Sequence, residues 1–293
     1  MVIRNLTLDV PQPYNKIGDG PEGPEARVMA DELHQDFQGV TVVKFTNHGL
    51  KQTGELQLPA VLNEVRSYGK KVIWDLSTGQ SMVFSQGMAG RFTYLPAMPG
   101  EKTMLTFNLV TYTDEGKQKG EAEIYYENVR AAVSSDVTIL QSSELPDFFS
   151  RFGPDLLAAA LGTPISSVAW KEIFRARPRA AISNLLNDQE VIAGIGNYLR
   201  ADILYAAKIH PKRKVNELSD VELEELRLAA HRVIKEAYEG RGLTIANYLS
   251  PNGRLGVYRA LVYSRSVDDA GHSVAKISKK GAQTLWYVPE VQV

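Results

Sequence analysis

The sequence predicts an α+β protein with two domains, one rich in strands and one rich in helices. Short runs of β-branched and aromatic residues, separated by Gly, Pro and Asp, fill residues 40–137. Helical patterns of apolar residues replace them from Glu144 onward. A chain of 293 residues is long enough for two ordinary domains. We therefore expect an N-terminal antiparallel β-sandwich or barrel with a leading helix, followed by a helical domain.

The composition excludes several classes of protein. Cysteine is absent, which excludes disulfides, thiol catalysis and cysteine-bound zinc. The five histidines lack the spacing of a metal site, so we expect no metal. No apolar run approaches the length of a membrane span, and the first twenty residues lack the pattern of a secretory signal. We therefore expect an intracellular protein without a membrane partner.

The first helix is expected to follow an N-terminal extension, residues 1–20. The string PEGPE, Pro21–Glu25, opens an amphipathic pattern that runs to about Phe37. Pro24 suits the first helical turn, where its missing N–H has no partner to lose. Acidic residues in PEGPE complement the positive end of the helix dipole, which is the simplest reading of Glu22 and Glu25.

Seven or eight strands are expected between residues 40 and 137. The runs that predict them are VTVVKF, KKVIWDL, SMVFSQG, GRFTYL, MLTFNLVTYT and AEIYY. Two turns stand out: one places Lys70 beside Gly69 before an apolar strand, and the other carries Met88 between Gly87 and Gly90. Taken singly, a solvated lysine and a core methionine explain both turns.

Helices are expected through the second half of the chain. Their predicted ranges are 147–161, 166–175, 180–187, 197–208 and 220–239. Ser219 and Glu222 form a capping box before the last of them. The final residues, 244–293, return to loops and strands, with an expected hairpin between 261–264 and 284–288.

The stretch AGIGNYLRADILYAAKIHP, residues 193–211, predicts a tight turn that leads into a helix. Gly194 and Gly196 permit such a turn, and Asn197 is expected at the helix N-cap. Free amides at the start of a helix suit a phosphate group. Cations are placed unevenly along the sequence, in three groups: Lys171, Arg175, Arg177 and Arg179, then Lys208, Lys212, Arg213 and Lys214, then Lys276, Lys279 and Lys280. They indicate phosphate-binding patches or ordinary solvated surface, on a chain of net charge −1.

Four strings in one order carry a family resemblance: PEGPE, a Gly-Lys before a strand, Gly-Met-Ala-Gly, and GIGNYLRADILYAAKIHP. Together they resemble the formamidopyrimidine-DNA glycosylase / endonuclease VIII family of base excision repair enzymes. The resemblance implies a β-sandwich catalytic domain (21–143), a helix–two-turns–helix DNA-binding domain (144–243), and a loop with a finger hairpin (244–293). Many relatives hold the finger with four cysteines and zinc. The cysteine-free KKGAQTLWYVPEVQ resembles the endonuclease VIII-like branch with a zincless finger.

The resemblance implies a DNA glycosylase that removes oxidised bases and cleaves the abasic strand by β/δ-elimination through a Schiff base. It implies a monomer without a cofactor, acting on double-stranded DNA that carries a damaged or abasic site, in whichever compartment holds the DNA. Pro21 would be the nucleophile and Glu22 the acid/base. Lys70 would contact a phosphate and offer a second amine. Glu25 would shape the base pocket.

The same resemblance implies the residues that grip DNA. Met88 would fill the gap left by the flipped base, and Arg130 would pair with the orphaned base. Asn197, together with the turn at Gly194 and Gly196, would hold a phosphate. Gln283 occupies the position of the finger arginine that clamps the flipped phosphate.

Three departures from the family pattern leave alternatives open. Pro21 follows Gly20, so its nitrogen is an amide and not a nucleophile. Ala132 stands where the family has a phenylalanine, and Gln283 lacks the charge of an arginine. Removal of the extension would free Pro21, or Lys70 would serve as the amine. Alternatively, the chain is a degenerate relative that binds damaged DNA, or has a structural role, without turnover.

Overall fold

The computed structural model describes residues 20–87, 90–95, 102–128, 135–244, 249–279, 281 and 283–293. The chain divides into two compact units. Unit 1 contains Pro21, Glu25–Ser150 and Thr244–Gly256, and unit 2 contains Glu22–Pro24, Arg151–Leu243 and Val257–Val293. The division after Ser150 lies seven residues beyond the predicted boundary at 143, and the segment after Leu243 returns to unit 1. The three functional domains implied by the resemblance stay a prediction.

Unit 1 combines a helix with a large sheet. Helix α1 (Gly23–Phe37) precedes the strands, and helix α2 (Leu145–Phe149) follows them. Between them the described residues form β1 (Thr41–Asn47), β2 (Lys51–Thr53), β3 (Ala60–Tyr68), β4 (Lys71–Leu76), β5 (Gln80–Ser85), β6 (Gly90–Thr93), β7 (Lys102–Tyr112), β8 (Gln118–Asn128) and β9 (Asp136–Gln141). Their order in the sheet is β2-β9-β5-β4-β3-β1-β7-β8-β6. The pairings are antiparallel, except that β2 and β9 run parallel.

The sheet folds over itself around an aromatic core. Trp74 of β4 packs against Phe92 of β6 and Phe107 of β7, with ring centroids 5.5 and 4.6 Å apart. Phe84 of β5 packs edge-on against Phe92 at 5.0 Å. Strands β4 and β5 lie on the opposite side of β1 from β6 and β7, so the two halves of one sheet share a core. The predicted α+β fold with a β-sandwich is confirmed.

Three strands were not predicted, and each has a physical reason. β2 has only three residues, too few for a periodic pattern. In β3, the exposed pair Asn63 and Glu64 interrupts the alternation at a bulge. β9 has a regular apolar alternation, but it adjoins the helical half of the chain, where the predicted boundary lay. Nine strands therefore occur in the described part of unit 1, where seven or eight were expected.

Unit 2 is helical and ends in a small hairpin. Its helices are α3 (Leu156–Leu161), α4 (Ser167–Arg175), α5 (Ile182–Asn187), α6 (Asn197–Ala206) and α7 (Asp220–Glu239), and its paired strands are β10 (Ala275–Ile277) and β11 (Leu285–Tyr287). The capping box of α7 is confirmed, because the Ser219 hydroxyl accepts the Glu222 amide at 3.2 Å and the Glu222 carboxylate accepts the Ser219 amide at 2.7 Å. No helix in the described part of the chain is long and apolar enough to cross a membrane.

The single helix predicted over 147–161 is wrong: the structure has two helices, α2 and α3, separated by a turn. A Cβ at Gly153 would lie 2.3 Å from the carbonyl carbon of Val191, so the chain passes that backbone closely and needs a glycine there. Pro154 follows, and a proline disfavours the helical conformation at the residue before it. Asp155 then starts α3 by accepting the amides of Leu157 and Ala158 at 2.9 and 3.0 Å.

The hairpin predicted between 261–264 and 284–288 is also wrong, because β11 pairs with β10 instead. The amides of residues 261–263 are not available for a strand partner. Those of Leu261, Val262 and Tyr263 donate to the carboxylate of Asp202 in α6, at 2.9, 3.0 and 3.2 Å. A buried acid on a helix has therefore replaced the partner that the pattern of apolar residues suggested.

Candidate active site

The carboxylate of Glu22 is bound at the N-terminus of α6. The Gly196 amide donates to Oε2 at 2.7 Å, the Tyr198 amide to Oε1 at 2.9 Å, and the Leu199 amide to Oε2 at 3.3 Å. These are amides of the first turn, which a helix leaves without internal partners, and the helix dipole favours a negative charge there. Glu22 is only 1% exposed. It therefore caps α6, not the helix α1 that its sequence position suggested.

The two glycines of the turn make room for this contact. A Cβ at Gly196 would lie 2.4 Å from Cδ of Glu22, which no side chain tolerates. Gly194 has φ +104° and its carbonyl accepts the Gly23 amide at 2.8 Å. The turn that the sequence indicated as a phosphate seat is therefore shaped around the backbone and carboxylate of residues 22–23.

The predicted N-cap is wrong by one residue. Gly196 is the N-cap of α6 and Asn197 is its first residue, with the Asn197 Oδ1 accepting a short hydrogen bond from Arg200. Because Asn197 has no N-cap geometry, its side chain turns to a neighbour on its own helix. The turn amides are not free either: the Gly194 amide donates to Oε1 of Gln189 at 3.0 Å, and the Gly196 amide to Glu22.

The remaining predicted catalytic residues belong to unit 1. Pro21 is buried and directly follows Gly20, so its nitrogen is part of a peptide bond. Glu25 lies in the first turn of α1 and is 4% exposed. Lys70 and Gly69 form the two-residue turn between β3 and β4, where Gly69 has φ +54° and Tyr68 pairs with Lys71. The roles assigned to these residues stay predictions.

The predicted DNA-contacting residues Met88 and Arg130, with Ala132, lie outside the described residues. Gly90 and Ser135, which directly follow the two segments that contain these residues, both contact Gln86. Its carbonyl accepts the Gly90 amide at 2.7 Å and the Ser135 hydroxyl at 2.9 Å. Gln283 is exposed, two residues before β11.

Asp202 is the main site residue that sequence reasoning missed. Besides the amides of 261–263, its carboxylate accepts the Tyr258 hydroxyl at 2.9 Å. Burial raises the pKa of Asp202, and these hydrogen bonds oppose that rise. The side chain is fully buried on the helix that carries Asn197, so it fixes the segment 258–263 to that helix. The sequence indicated Asp202 only as a single acid among the mostly apolar residues of NYLRADILY.

A second missed acid, Asp268, organises the segment before the hairpin. Its Oδ1 accepts the amides of Ala270 and His272 at 2.9 and 2.8 Å, and its Oδ2 accepts the Tyr205 hydroxyl and faces Nδ1 of His272, both at 2.9 Å. Among the described residues, no group of three or more metal-ligating side chains occurs. In this segment a carboxylate cross-links the chain, and the zincless branch of the family stays a prediction.

Comparison with known proteins shows the family of the chain. Residues 148–248 match the family model described as the formamidopyrimidine-DNA glycosylase H2TH domain. The chain is 30% identical over 261 residues to the formamidopyrimidine-DNA glycosylase of Desulforamulus reducens, covering 84% of this chain and 88% of that one. It is 31% identical over 235 residues to endonuclease 8 of Klebsiella pneumoniae, covering 78% of this chain and 83% of that one.

Solved structures agree with the fold. The crystal structure of the MutM (Fpg) protein from Thermus thermophilus superposes with a TM-score of 0.79 at 23% identity, covering 93% of this chain and 98% of that one. A complex of Lactococcus lactis Fpg with DNA containing an abasic site gives 0.78 at 18% identity, covering 92% and 99%. The matches define a protein of the helix–two-turns–helix DNA glycosylase class. The chain belongs to the formamidopyrimidine-DNA glycosylase / endonuclease VIII family, as its four sequence strings indicated.

Proposed function

We propose that this protein is a DNA glycosylase of base excision repair that removes oxidised bases from duplex DNA and then cleaves the abasic strand. The observation that carries the proposal is the position of Glu22, the residue directly after Pro21. Its buried carboxylate accepts hydrogen bonds from three backbone amides at the N-terminus of α6. An acid/base group must be fixed in position to act on a flipped nucleotide, and a helix terminus fixes it rigidly. Relatives named as formamidopyrimidine-DNA glycosylase and endonuclease 8 support the same activity.

The proposed chemistry needs a free amine on Pro21. A terminal secondary amine, with a pKa of about 8, keeps a useful neutral fraction at physiological pH. Its lone pair would form a bond to C1′ of the flipped nucleotide while the bond from C1′ to the base breaks, the departing base would take up a proton, and the attached nitrogen would lose its own proton. The bond from C1′ to O4′ would then break as Glu22 gives a proton to O4′, and the nitrogen lone pair would form the C1′=N iminium. The iminium would then lose a proton from C2′ and the 3′ phosphate as leaving group. A second elimination would release the 5′ phosphate.

The supporting residues have proposed roles in binding. Glu25 would shape the base pocket and Lys70 would contact the phosphate beside the lesion. Three further residues would contact DNA: Met88 by filling the gap, Arg130 by pairing with the orphaned base, and Asn197 by holding a phosphate beside the turn of Gly194 and Gly196. Gln283 would give the finger a hydrogen bond in place of a charge. The protein would act as a monomer, without a cofactor, wherever the cell keeps its DNA.

The bond between Gly20 and Pro21 decides which form is active. An amide nitrogen is delocalised and is not a nucleophile, so reaction through Pro21 requires a form of the protein whose first residue is Pro21. Lys70 is the second candidate amine, and it would support a weaker reaction with the extension in place.

A second candidate function follows from the same bond. A family member whose Pro21 stays blocked, and whose finger carries the uncharged Gln283, would bind damaged or abasic DNA without turnover. Neutral Gln283 would weaken the grip on the flipped phosphate, because it removes the charge that an arginine supplies.

Borohydride trapping separates these functions. Full-length protein and a version that begins at Pro21 are incubated with duplexes that carry an oxidised pyrimidine or an abasic site, and covalent adducts are counted on denaturing gels. We expect an adduct from the version that begins at Pro21 and little from the full-length protein. In the matched control the same short version carries Lys70→Ala, which identifies the amine that is trapped.

The outcomes are distinct. An equal adduct from both versions, lost in Lys70→Ala, would assign the chemistry to Lys70. If neither version forms an adduct or releases a base, the enzyme proposal fails. Tight, salt-dependent binding to the abasic duplex would then favour the second function. The intact mass of natively produced protein shows whether the first twenty residues remain.

A further inference from the structure

Two segments of unit 2 that are rich in cations lie side by side, away from the seat of Glu22. One is the turn 177–180, between α4 and α5, and the other is 212–216, after α6. Backbone hydrogen bonds join them: Ile182 donates to the Arg213 carbonyl at 2.9 Å, Val215 to Ala180 at 3.1 Å, and Asn216 to Pro178 at 2.9 Å. Four cationic side chains on these segments are exposed, and we name them the basic ridge: Arg177, Arg179, Lys212 and Lys214.

The acids near the basic ridge are already engaged by other cations. Asp220 is paired with Lys171 at 3.2 Å and with Arg175 at 3.1 Å. Glu222 is paired with Arg213, whose hydrogen bond lowers the pKa of Glu222 to about 2.

Glu217 directly follows the second segment, and its carboxylate accepts the backbone amide of Lys214 at 2.9 Å. No cation of the basic ridge forms an ion pair with a residue in the described part of the chain. Because Glu217 keeps its negative charge beside Lys214, the ridge presents four outward positive charges against one local acid, a surplus of three.

The basic ridge lies at the other end of α6 from Glu22 and Asn197. Helix α6 has ten residues, which is about 15 Å at 1.5 Å per residue. Glu22 binds the first turn, whereas 212–214 follow the last turn by a few residues. The start of α5 meets the same end, since Ile182 donates to Arg213. The ridge is thus spatially separate from the turn at which the proposed function places a phosphate of the damaged strand.

We propose that the basic ridge binds the phosphates of a second DNA segment while the first segment occupies the active site. The proposal rests on the proposed function for DNA as the partner. Phosphate backbones need only cations and N–H donors, and they bind by releasing counterions. A protein partner would need large apolar or aromatic anchors, and the large apolar side chains found exposed in the structure lie on other segments. The charge and the polar surface therefore favour nucleic acid.

A second DNA contact has a kinetic consequence. A protein with one DNA site releases its DNA at a rate that does not depend on the concentration of competitor DNA. A protein with two sites can bind the competitor first and then release the original duplex. Dissociation therefore becomes faster as competitor is added, which is direct transfer between DNA segments.

The experiment uses full-length protein and two variants of equal charge. The ridge variant carries Arg177→Ala, Arg179→Ala, Lys212→Ala and Lys214→Ala. The control variant removes four exposed cations elsewhere, through Lys117→Ala, Lys119→Ala, Arg232→Ala and Lys235→Ala. Circular dichroism and melting temperatures confirm that both variants are folded. Stopped-flow fluorescence follows release from a labelled duplex with an abasic-site analogue, with rising concentrations of undamaged competitor duplex.

We expect competitor to accelerate release of the labelled duplex several-fold in the wild type and in the control variant. In the ridge variant, the rate of release should not depend on competitor concentration. The slope of log affinity against log salt on long undamaged DNA should fall by about 0.9 for each phosphate contact that the ridge variant loses. Release that is independent of competitor in the wild type, or ridge and control variants that behave alike, would overturn the proposal and leave the ridge to a different anionic partner. If the protein excises bases but shows no direct transfer between DNA segments, only the proposal about the basic ridge is refuted. If the protein does not bind DNA at low salt, the proposed function is refuted.

Discussion

Gly196 donates its amide to the Glu22 carboxylate at 2.7 Å, and the position of a Cβ on Gly196 would be 2.4 Å from the carboxyl carbon of Glu22. The glycine and the acid therefore depend on each other. The glycine is needed because the carboxylate occupies the space of a side chain. The acid is needed because the first turn of α6 otherwise buries amides without partners.

Gly196→Ala is expected to displace Glu22 from the helix end. Overpacking of this kind costs about 1–3 kcal/mol in unfolding free energy, and an acid/base group moved by about 1 Å costs up to about 100-fold in rate. Chemical denaturation and single-turnover base excision measure the two effects. Gly162→Ala is the control, since its Cβ would lie 3.2 Å from the Ala158 carbonyl at the end of α3. Base excision at the wild-type rate in Gly196→Ala would show that catalysis does not require the Glu22 carboxylate at the N-terminus of α6.

Glu22→Gln separates capping from proton transfer. The glutamine oxygen can still accept the amides of Gly196 and Leu199, but its NH2 group replaces Oε1 and leaves the Tyr198 amide without that acceptor. We therefore expect a folded variant that loses about 1–3 kcal/mol of unfolding free energy. Proton transfer should fail, which lowers base excision by about 100- to 10,000-fold. Single-turnover excision and thermal melting are measured on the version that begins at Pro21. Excision that survives in Glu22→Gln would assign the acid/base role to another group.

The sequence predicted the fold class, the capping box of α7 and the location of the turn before α6, because local patterns determine each of them. It did not predict the partner of that turn, since Glu22 and Gly196 are 174 residues apart and only the folded chain brings them together. The hairpin prediction failed for the same reason. The amides of residues 261–263 donate to the buried Asp202, and the spacing of apolar residues cannot predict a contact between such distant positions.

Asp268→Asn is expected to loosen the segment before the finger hairpin. The hydrogen bond from His272 to Asp268 raises the pKa of His272 above 6.5. Burial would raise the pKa of Asp268, but hydrogen bonds from His272 and Tyr205 lower it to about 2. The native pKa of His272 is raised and that of Asp268 is lowered, so the pair contributes its full stability between pH 3.8 and 6.5. It loses this stability as the pH rises through the native value of His272, or falls through that of Asp268.

NMR titration of the histidine side chains tests this pair. The pKa of His272 should fall toward 6.5 in Asp268→Asn, while the lowered pKa values of His210 and His231 stay unchanged. The variant should lose more stability relative to the wild type at pH 5.5 than at pH 8.5. An unchanged His272 titration would mean that the contact with Asp268 is absent in solution.

His231 is expected to make unit 2 sensitive to mild acid. Its Nε2 accepts the Ile165 amide at 3.1 Å and its Nδ1 donates to the Arg227 carbonyl at 2.8 Å, which requires a neutral ring. Burial lowers the pKa of His231 below 6.5, and the positive charge of Arg227 lowers it further. The hydrogen bond to the Arg227 carbonyl and the negative charge of Glu224 raise this pKa, but by less. The folded value is the lower one, so this stability is complete above pH 6.5 and is lost as the pH falls through the folded value.

The unfolding free energy of the wild type should therefore decline between pH 6.5 and 5, by less than about 1 kcal/mol because the ring is only half-buried. Denaturation curves at successive pH values measure the decline. His231→Gln removes the titrating ring and keeps one acceptor for Ile165, so its curve should be flatter over this range. Parallel curves for the wild type and His231→Gln would assign the acid sensitivity to another group.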